Sequence, residues 1–208
     1  VERRRSANEL RAVDSPAWPE IEQLVRSCAA SAQVLSTEEA RCDVALEALQ
    51  VTTGSFLGAL VGQCGALLVD GGWLRVLAAG AGGLPGVHEA IAPLDGTRPL
   101  LDVAWDVLGG RFAVNGGGVD AEMGEVCYWG PDTLAWTAMG DGHAAFIRWA
   151  LSDGLGEFYA TSRWPGWRED IAPLAPSLGL SVYPPPFTAE GQDLARASRR
   201  PVPLLELR

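Results

Sequence analysis

The chain has 208 residues, 48% of them apolar and 20% charged, enough to bury one core and too apolar for a disordered, self-repelling polymer. Its formal charge is −10, and all 16 basic side chains are arginines, so it has no amine for a P-loop, a Schiff-base enzyme, a protein kinase or a Ser-x-x-Lys hydrolase. Net negative charge repels phosphate backbones, which predicts no nucleic-acid partner.

Residues 1 to 8 read as a flexible polar lead, with a single α+β domain over residues 9 to 208. Ser15-Pro16 opens a helix through Cys28, with Trp18, Ile21, Leu24 and Val25 at helical spacing. A second helix is expected after a Ser36 or Thr37 cap, with Glu38 and Glu39 at the positive end of its dipole and a stop near Gln50. From Val51 to Val61 the texture is β-branched and Gly-interrupted, and Thr53-Gly54-Ser55-Phe56-Leu57-Gly58 reads as the entrance to a strand. Ala66 to Val69 and Trp73 to Leu77 flank Asp70-Gly71-Gly72 as a hairpin. A loop over Gly80 to Leu94 precedes strands at Leu100 to Trp105 and Arg111 to Val114. A further hairpin, Glu125 to Met139, turns at Gly130-Pro131-Asp132-Thr133. Helices follow from His143 to Leu151 and from Ser152, then a helical turn at Arg168 to Ala172 and a strand near Leu178 to Tyr183. Pro184-Pro185-Pro186 forbids a central strand, and the tail reads as loop plus an extended piece. Helices, then hairpins, then helices predict a mainly antiparallel sheet with helices packed on one face.

No apolar run approaches the roughly 20 residues of a membrane helix; Gly65 to Val69 and Trp73 to Ala79 are broken by Asp, Gly and Arg. Arg3 to Arg5 lead into polar Ser6 to Glu9 rather than an apolar stretch, so no secretory signal is read there. Cys28, Cys42, Cys64 and Cys127 form no CxxC pair, which predicts reduced thiols and a cytoplasmic location.

The chemistry-bearing residues do not assemble into a motif. His88-Glu89-Ala90-Ile91-Ala92 has alanine where a zincin places its second histidine, and with His143 the only other imidazole no metal site is expected. Ser55 lacks the Gly-x-Ser-x-Gly turn of a nucleophile elbow, and Asp141 before His143 reads as a helix cap. Pro85 occupies the third glycine position of Gly80-Ala81-Gly82-Gly83-Leu84-Pro85, so no dinucleotide cofactor is expected. Asp102 and Asp106 stand at a spacing that shares one face of a strand or a helix, and a carboxylate pair with split pKa values is the one catalytic arrangement left open. In so acidic a segment the plainer expectation is two solvated aspartates, and no catalytic residue is assigned.

From Leu101 to Ala160 nine acidic residues face only Arg111 and Arg148. Such a surface attracts basic proteins and accelerates their association. Eight tryptophans serve packing first, and those beside acids and turns serve as interface anchors. Asp132, Trp136, Asp153 and Glu157 are therefore the candidate binding residues, on the turn, strand and helix of the acidic segment.

Five strings resemble one bacterial family: Ala48 to Thr53, Val69-Asp70-Gly71-Gly72-Trp73-Leu74-Arg75, Asp106 to Gly117, Gly130-Pro131-Asp132-Thr133-Leu134-Ala135-Trp136, and Phe158-Tyr159 to Arg163-Trp164-Pro165-Gly166-Trp167. The family is domain-of-unknown-function family 2625, which looks like a relative of the SUKH superfamily. The resemblance implies a SUKH-like α+β fold and, by fold-level analogy, a non-enzymatic immunity-type protein that binds and neutralises a toxin, often a nuclease. It carries over no catalytic residue. The alternatives are an enzyme or carbohydrate-like binder built on a carboxylate and aromatic cleft, and a structural or regulatory scaffold.

Overall fold

In a computed structural model, residues 3–94 and 98–207 are described, with side chains at 3–90 and 100–207. Helix α1 (Ala7–Arg11) starts at Ser6, whose hydroxyl accepts from Glu9 N while the Glu9 carboxylate accepts from Ser6 N, a reciprocal capping box. Helix α2 (Trp18–Ser27) carries Pro19 in its first turn, where a missing N–H is harmless, and buries Ile21. Helix α3 (Glu39–Leu49) follows Glu38, not a Ser36 or Thr37 side-chain cap; the Thr37 hydroxyl instead donates to Gly80 O at 2.8 Å. Arg4 donates to the carbonyls of Glu47 and Ala48 at the end of α3, and Arg5 N donates to the Gln50 side chain. Those bonds fasten the polar lead to α3.

The segment read as a strand entrance is instead the start of helix α4 (Phe56–Gln63), with the Ser55 hydroxyl accepting from Gly58 N at 3.0 Å. Phe56, Ala59, Leu60, Val61 and Gly62 are all buried, so this helix is apolar nearly all round. A short run of that kind has no helical period to betray it.

The sheet comprises β1 (Ala32–Leu35), β2 (Ala66–Val69), β3 (Leu74–Leu77), β4 (Ile91–Leu94), β5 (Arg98–Asp106), β6 (Arg111–Asn115), β7 (Glu125–Gly130) and β8 (Ala135–Gly142). Its order is β1-β2-β3-β5-β6-β7-β8, with β4 paired to β5 off that path, and every pairing is antiparallel. The loop expected from Gly80 to Leu94 thus ends in a strand. Strand β1 lies on the edge with Gln33 and Val34 exposed, which leaves it little apolar pattern.

Cross-strand partners share a face of an antiparallel sheet. Val76, Ala104, Phe112 and Tyr128 lie in register on one face. Phe112 and Tyr128 pack there against Phe146 of helix α5 (His143–Ala150) and Phe158 of helix α6 (Gly154–Phe158). Arg75, Trp105, Arg111, Trp129 and Trp136 line the other face. After helix α7 (Trp167–Ile171), strands β9 (Leu178–Tyr183) and β10 (Ser198–Pro203) form a separate two-stranded ladder. Buried Arg75 joins the two sheets by donating to Leu178 O at 2.8 Å.

Candidate functional site

The carboxylates that a cleft enzyme would need are both fully buried, contrary to the expectation of solvated side chains. They also lie on opposite faces of β5. Register slips between Asp102 and Ala104, where one extra residue enters the strand and reverses the alternation. Asp106 therefore faces Tyr128, while Asp102 faces Arg111.

Asp106 Oδ1 accepts from Leu108 N at 2.9 Å and Gly110 N at 2.8 Å; Oδ2 accepts from Tyr128 at 3.0 Å and Tyr159 at 2.8 Å. Burial holds this carboxyl above its ordinary pKa, and the four donors offset only part of that rise. Gly110 is obligatory for closeness, because a Cβ there would stand 2.0 Å from Asp106 Oδ2 and 2.6 Å from the Tyr128 hydroxyl. Burial beside Asp106 raises both tyrosine pKa values, so each phenol keeps its proton and donates. Asp102 accepts from Arg111 Nε at 3.0 Å and Nη2 at 2.8 Å, a two-pronged pair, and from Trp105 Nε1 at 2.8 Å. Neither carboxylate opens to a cleft, and both positions are saturated with structural donors.

Strings that are far apart in sequence meet at a third aspartate. Asp70, at φ 51° in the β2–β3 turn, accepts from Arg163 at 2.5 Å and Arg168 at 3.2 Å. The Arg163 guanidinium lies 5.1 Å from the centroid of Trp73 and 4.5 Å from that of Trp167. Trp73 in turn touches Tyr159, Trp164 and Trp167, with centroids 5.4, 5.8 and 5.0 Å away. This half-buried cation and its aromatic walls join the hairpin to the segment after α6. Sequence reading did not pair Asp70 with Arg163; the shared signal was only a glycine-rich turn and a Trp-Pro-Gly-Trp string.

The candidate binding residues occupy three places. Trp136 on β8 is half-buried, its ring 5.8 Å from Trp129 and 5.4 Å from the Arg111 guanidinium, on the Asp102 face. Asp153, the residue preceding α6, and Glu157 within it are exposed on the helix-covered side. Asp132 is exposed in the β7–β8 turn and lines a cavity of about 330 Å³ with Thr133, Thr161, Ser162 and Gln192. Asp120, Glu122, Asp132, Asp141, Asp153 and Glu157 are all exposed, and among the described residues none of them forms an ion pair. The segment's two arginines are engaged elsewhere, Arg111 with Asp102 and Arg148 with Glu20.

Among the described residues no three His, Cys, Asp or Glu side chains gather to hold a metal ion. Among the described residues neither ring nitrogen of His143 has a partner, neither touches solvent, and desolvation pulls its pKa down to about 4. Burial raises the pKa of every cysteine, Cys64 to about 12, so none is poised as a thiolate. No described helix is long and apolar enough to cross a membrane.

The family model described as "Protein of unknown function DUF2625" matches residues 7–207. The chain is 37% identical over 182 residues to the Escherichia coli (strain K12) protein named "Putative uncharacterized protein YbfG", covering 86% of this chain and 84% of that one. It is 26% identical over 176 residues to an "Uncharacterized protein" of Haemophilus influenzae (strain ATCC 51907 / DSM 11121 / KW20 / Rd), covering 82% and 77%. No solved structure matches the chain.

Proposed function

The chain belongs to the DUF2625 family, and from that premise we propose that it is a non-enzymatic binding module that takes a basic protein on the acidic surface around the β7–β8 turn and α6. One contrast carries this reading. The buried carboxylates Asp70, Asp102 and Asp106 are each held by structural donors, whereas Asp132, Asp153 and Glu157 stand exposed and form no ion pair among the described residues. Unneutralised surface carboxylates steer a basic partner, speed its association and disfavour acidic ones. Half-buried Trp136, four residues beyond Asp132 on the opposite face of the sheet from α6, supplies a rigid aromatic at the edge of this surface. The finer reading is an immunity-type protein whose partner is a nuclease-like toxin, since an enzyme that grips phosphate backbones is itself basic; the SUKH resemblance of the sequence strings supports it. The carboxylate-cleft alternative is less favoured, because Asp102 and Asp106 are each fully buried and hydrogen-bonded within the fold.

The test is capture of a partner from native lysate and rescue in cells that co-express a toxin encoded beside this chain. Binding should weaken as salt rises and disappear in a variant carrying Asp132→Lys, Asp153→Lys and Glu157→Lys. Retention of no partner together with no rescue would sink the proposal, as would capture indifferent to the triple reversal.

A further inference from the structure

We infer that the cavity at Asp132 and the adjoining free edge of β8 form one seat, which holds an extended segment of the partner with an arginine or lysine side chain in the cavity. This rests on the proposed function and assigns its partner a local chemistry. The cavity, about 330 Å³, is walled by the β7–β8 turn, by Thr161 and Ser162 after α6, and by the loop bearing Gln192. Its polar lining is one carboxylate plus hydroxyls and an amide, a set of acceptors suited to the several N–H groups of a guanidinium or ammonium. Among the described residues Asp132 forms no ion pair, so no described side chain supplies the positive charge that this lining suits.

The edge begins three residues further on. Strand β8 ends the sheet order and pairs only with β7, and its regular register covers Ala135 to Ala138 before a slip near Gly140. Among the described residues no backbone group of 135–138 bonds to anything beyond β7. This regular edge is only four residues long and ends at that slip, and Ala135-Trp136-Thr137-Ala138 carries no charged side chain or proline to keep a short added strand off. An added strand would gain main-chain hydrogen bonds there, with alternate side chains free to enter pockets at its ends. The occupant is basic rather than a second copy of this chain. Antiparallel pairing of two such edges about 135–138 would set Asp132 of one copy opposite Asp141 of the other, which like-charge repulsion opposes.

The probe is an acetylated and amidated eight-residue peptide of alternating arginine and valine, with a control peptide in which citrulline replaces arginine. The arginine peptide should quench tryptophan fluorescence and slow amide exchange at 135–138, and Asp132→Asn should weaken its binding about tenfold, as loss of one charge-assisted contact does. Asp132 is exposed in a turn, so that variant keeps its fold, which circular dichroism checks. Equal binding of the citrulline peptide, indifference to Asp132→Asn, exchange protection away from β8, or no binding would each overturn the inference. So would a concentration-dependent dimer that protects β8 by itself. If Asp153→Lys with Glu157→Lys abolishes capture of a natural partner while the peptide fails at β8, the binding-module reading stands and this seat does not. If the peptide lodges as described while no partner is retained, the reverse holds.

Discussion

The Tyr159 hydroxyl donates to Asp106 Oδ2 at 2.8 Å, so a residue just beyond α6 is bonded to the end of β5 across 53 positions of sequence. Tyr128 and the amides of Leu108 and Gly110 share that carboxylate. Asp106→Ala would leave four buried donors without an acceptor, at a loss of about 1–3 kcal/mol for each. We expect a loss of roughly 4 kcal/mol or more and a fall in Tm on the order of 10 °C. Tyr159→Phe removes one donor and one bond and should lose only about 1 kcal/mol. Equal melting of the Asp106→Ala variant and the parent would refute this account.

The pair at Asp70 is a different case, since its partner is a part-buried cation lying against aromatic rings. Asp70→Ala leaves the part-buried Arg163 guanidinium between Trp73 and Trp167 without its carboxylate, and because water still reaches that cation the loss should fall below the roughly 3–5 kcal/mol of a fully buried pair, at about 2 kcal/mol. Arg163→Lys keeps the charge but loses the planar contact with the rings, so it should recover only part of that stability. Denaturant titration of the two variants measures both. Full recovery by lysine would show that charge alone matters at this position.

Much of the sheet was legible because its turns announce themselves. Asp70-Gly71-Gly72 and Gly130-Pro131-Asp132 each close a hairpin where expected, joining β2 to β3 and β7 to β8. What escaped depends on relationships that one-dimensional spacing does not encode. Asp102 and Asp106 are four residues apart, a spacing that shares a face in an unbroken strand, and only the slip at Ala104 separates them. Their burial was equally hidden, because the donors Arg111, Tyr128 and Tyr159 come from other elements. Asp132, Asp153 and Glu157 were readable as surface positions from turn and helix patterning. The cavity beside Asp132 was not, because Thr161 and Gln192 reach it from distant parts of the chain.

His143 gives the fold a dependence on acid. Its folded pKa of about 4 lies below the ordinary value of 6.5 because burial disfavours the imidazolium. Between those values the unfolded chain binds a proton that the folded chain does not, so stability rises with pH across this window and is lost as pH falls through it. The linkage amounts to about 3 kcal/mol at most. His143→Leu should flatten the dependence of Tm on pH between 6.5 and 4, while leaving stability at pH 8 nearly unchanged or higher, since two unpartnered ring nitrogens leave with it. An unchanged pH slope in that variant would show that the acid sensitivity lies elsewhere.

The start of α4 is where local patterning pointed to a strand, and it offers a test that distinguishes the two conformations. If Ser55 caps a helix, Ser55→Ala should cost about 1 kcal/mol, because the Gly58 amide loses its acceptor. Gly58→Ala improves helix propensity, yet its Cβ would stand 1.9 Å from Thr52 O, a backbone atom that cannot swing aside. The clash should therefore outweigh the propensity gain, and Gly58→Ala should be the more damaging of the two. Melting curves of both variants decide this. A stabilising Gly58→Ala would mean that Thr52 does not cross above the first turn of α4, and a neutral Ser55→Ala would remove the cap.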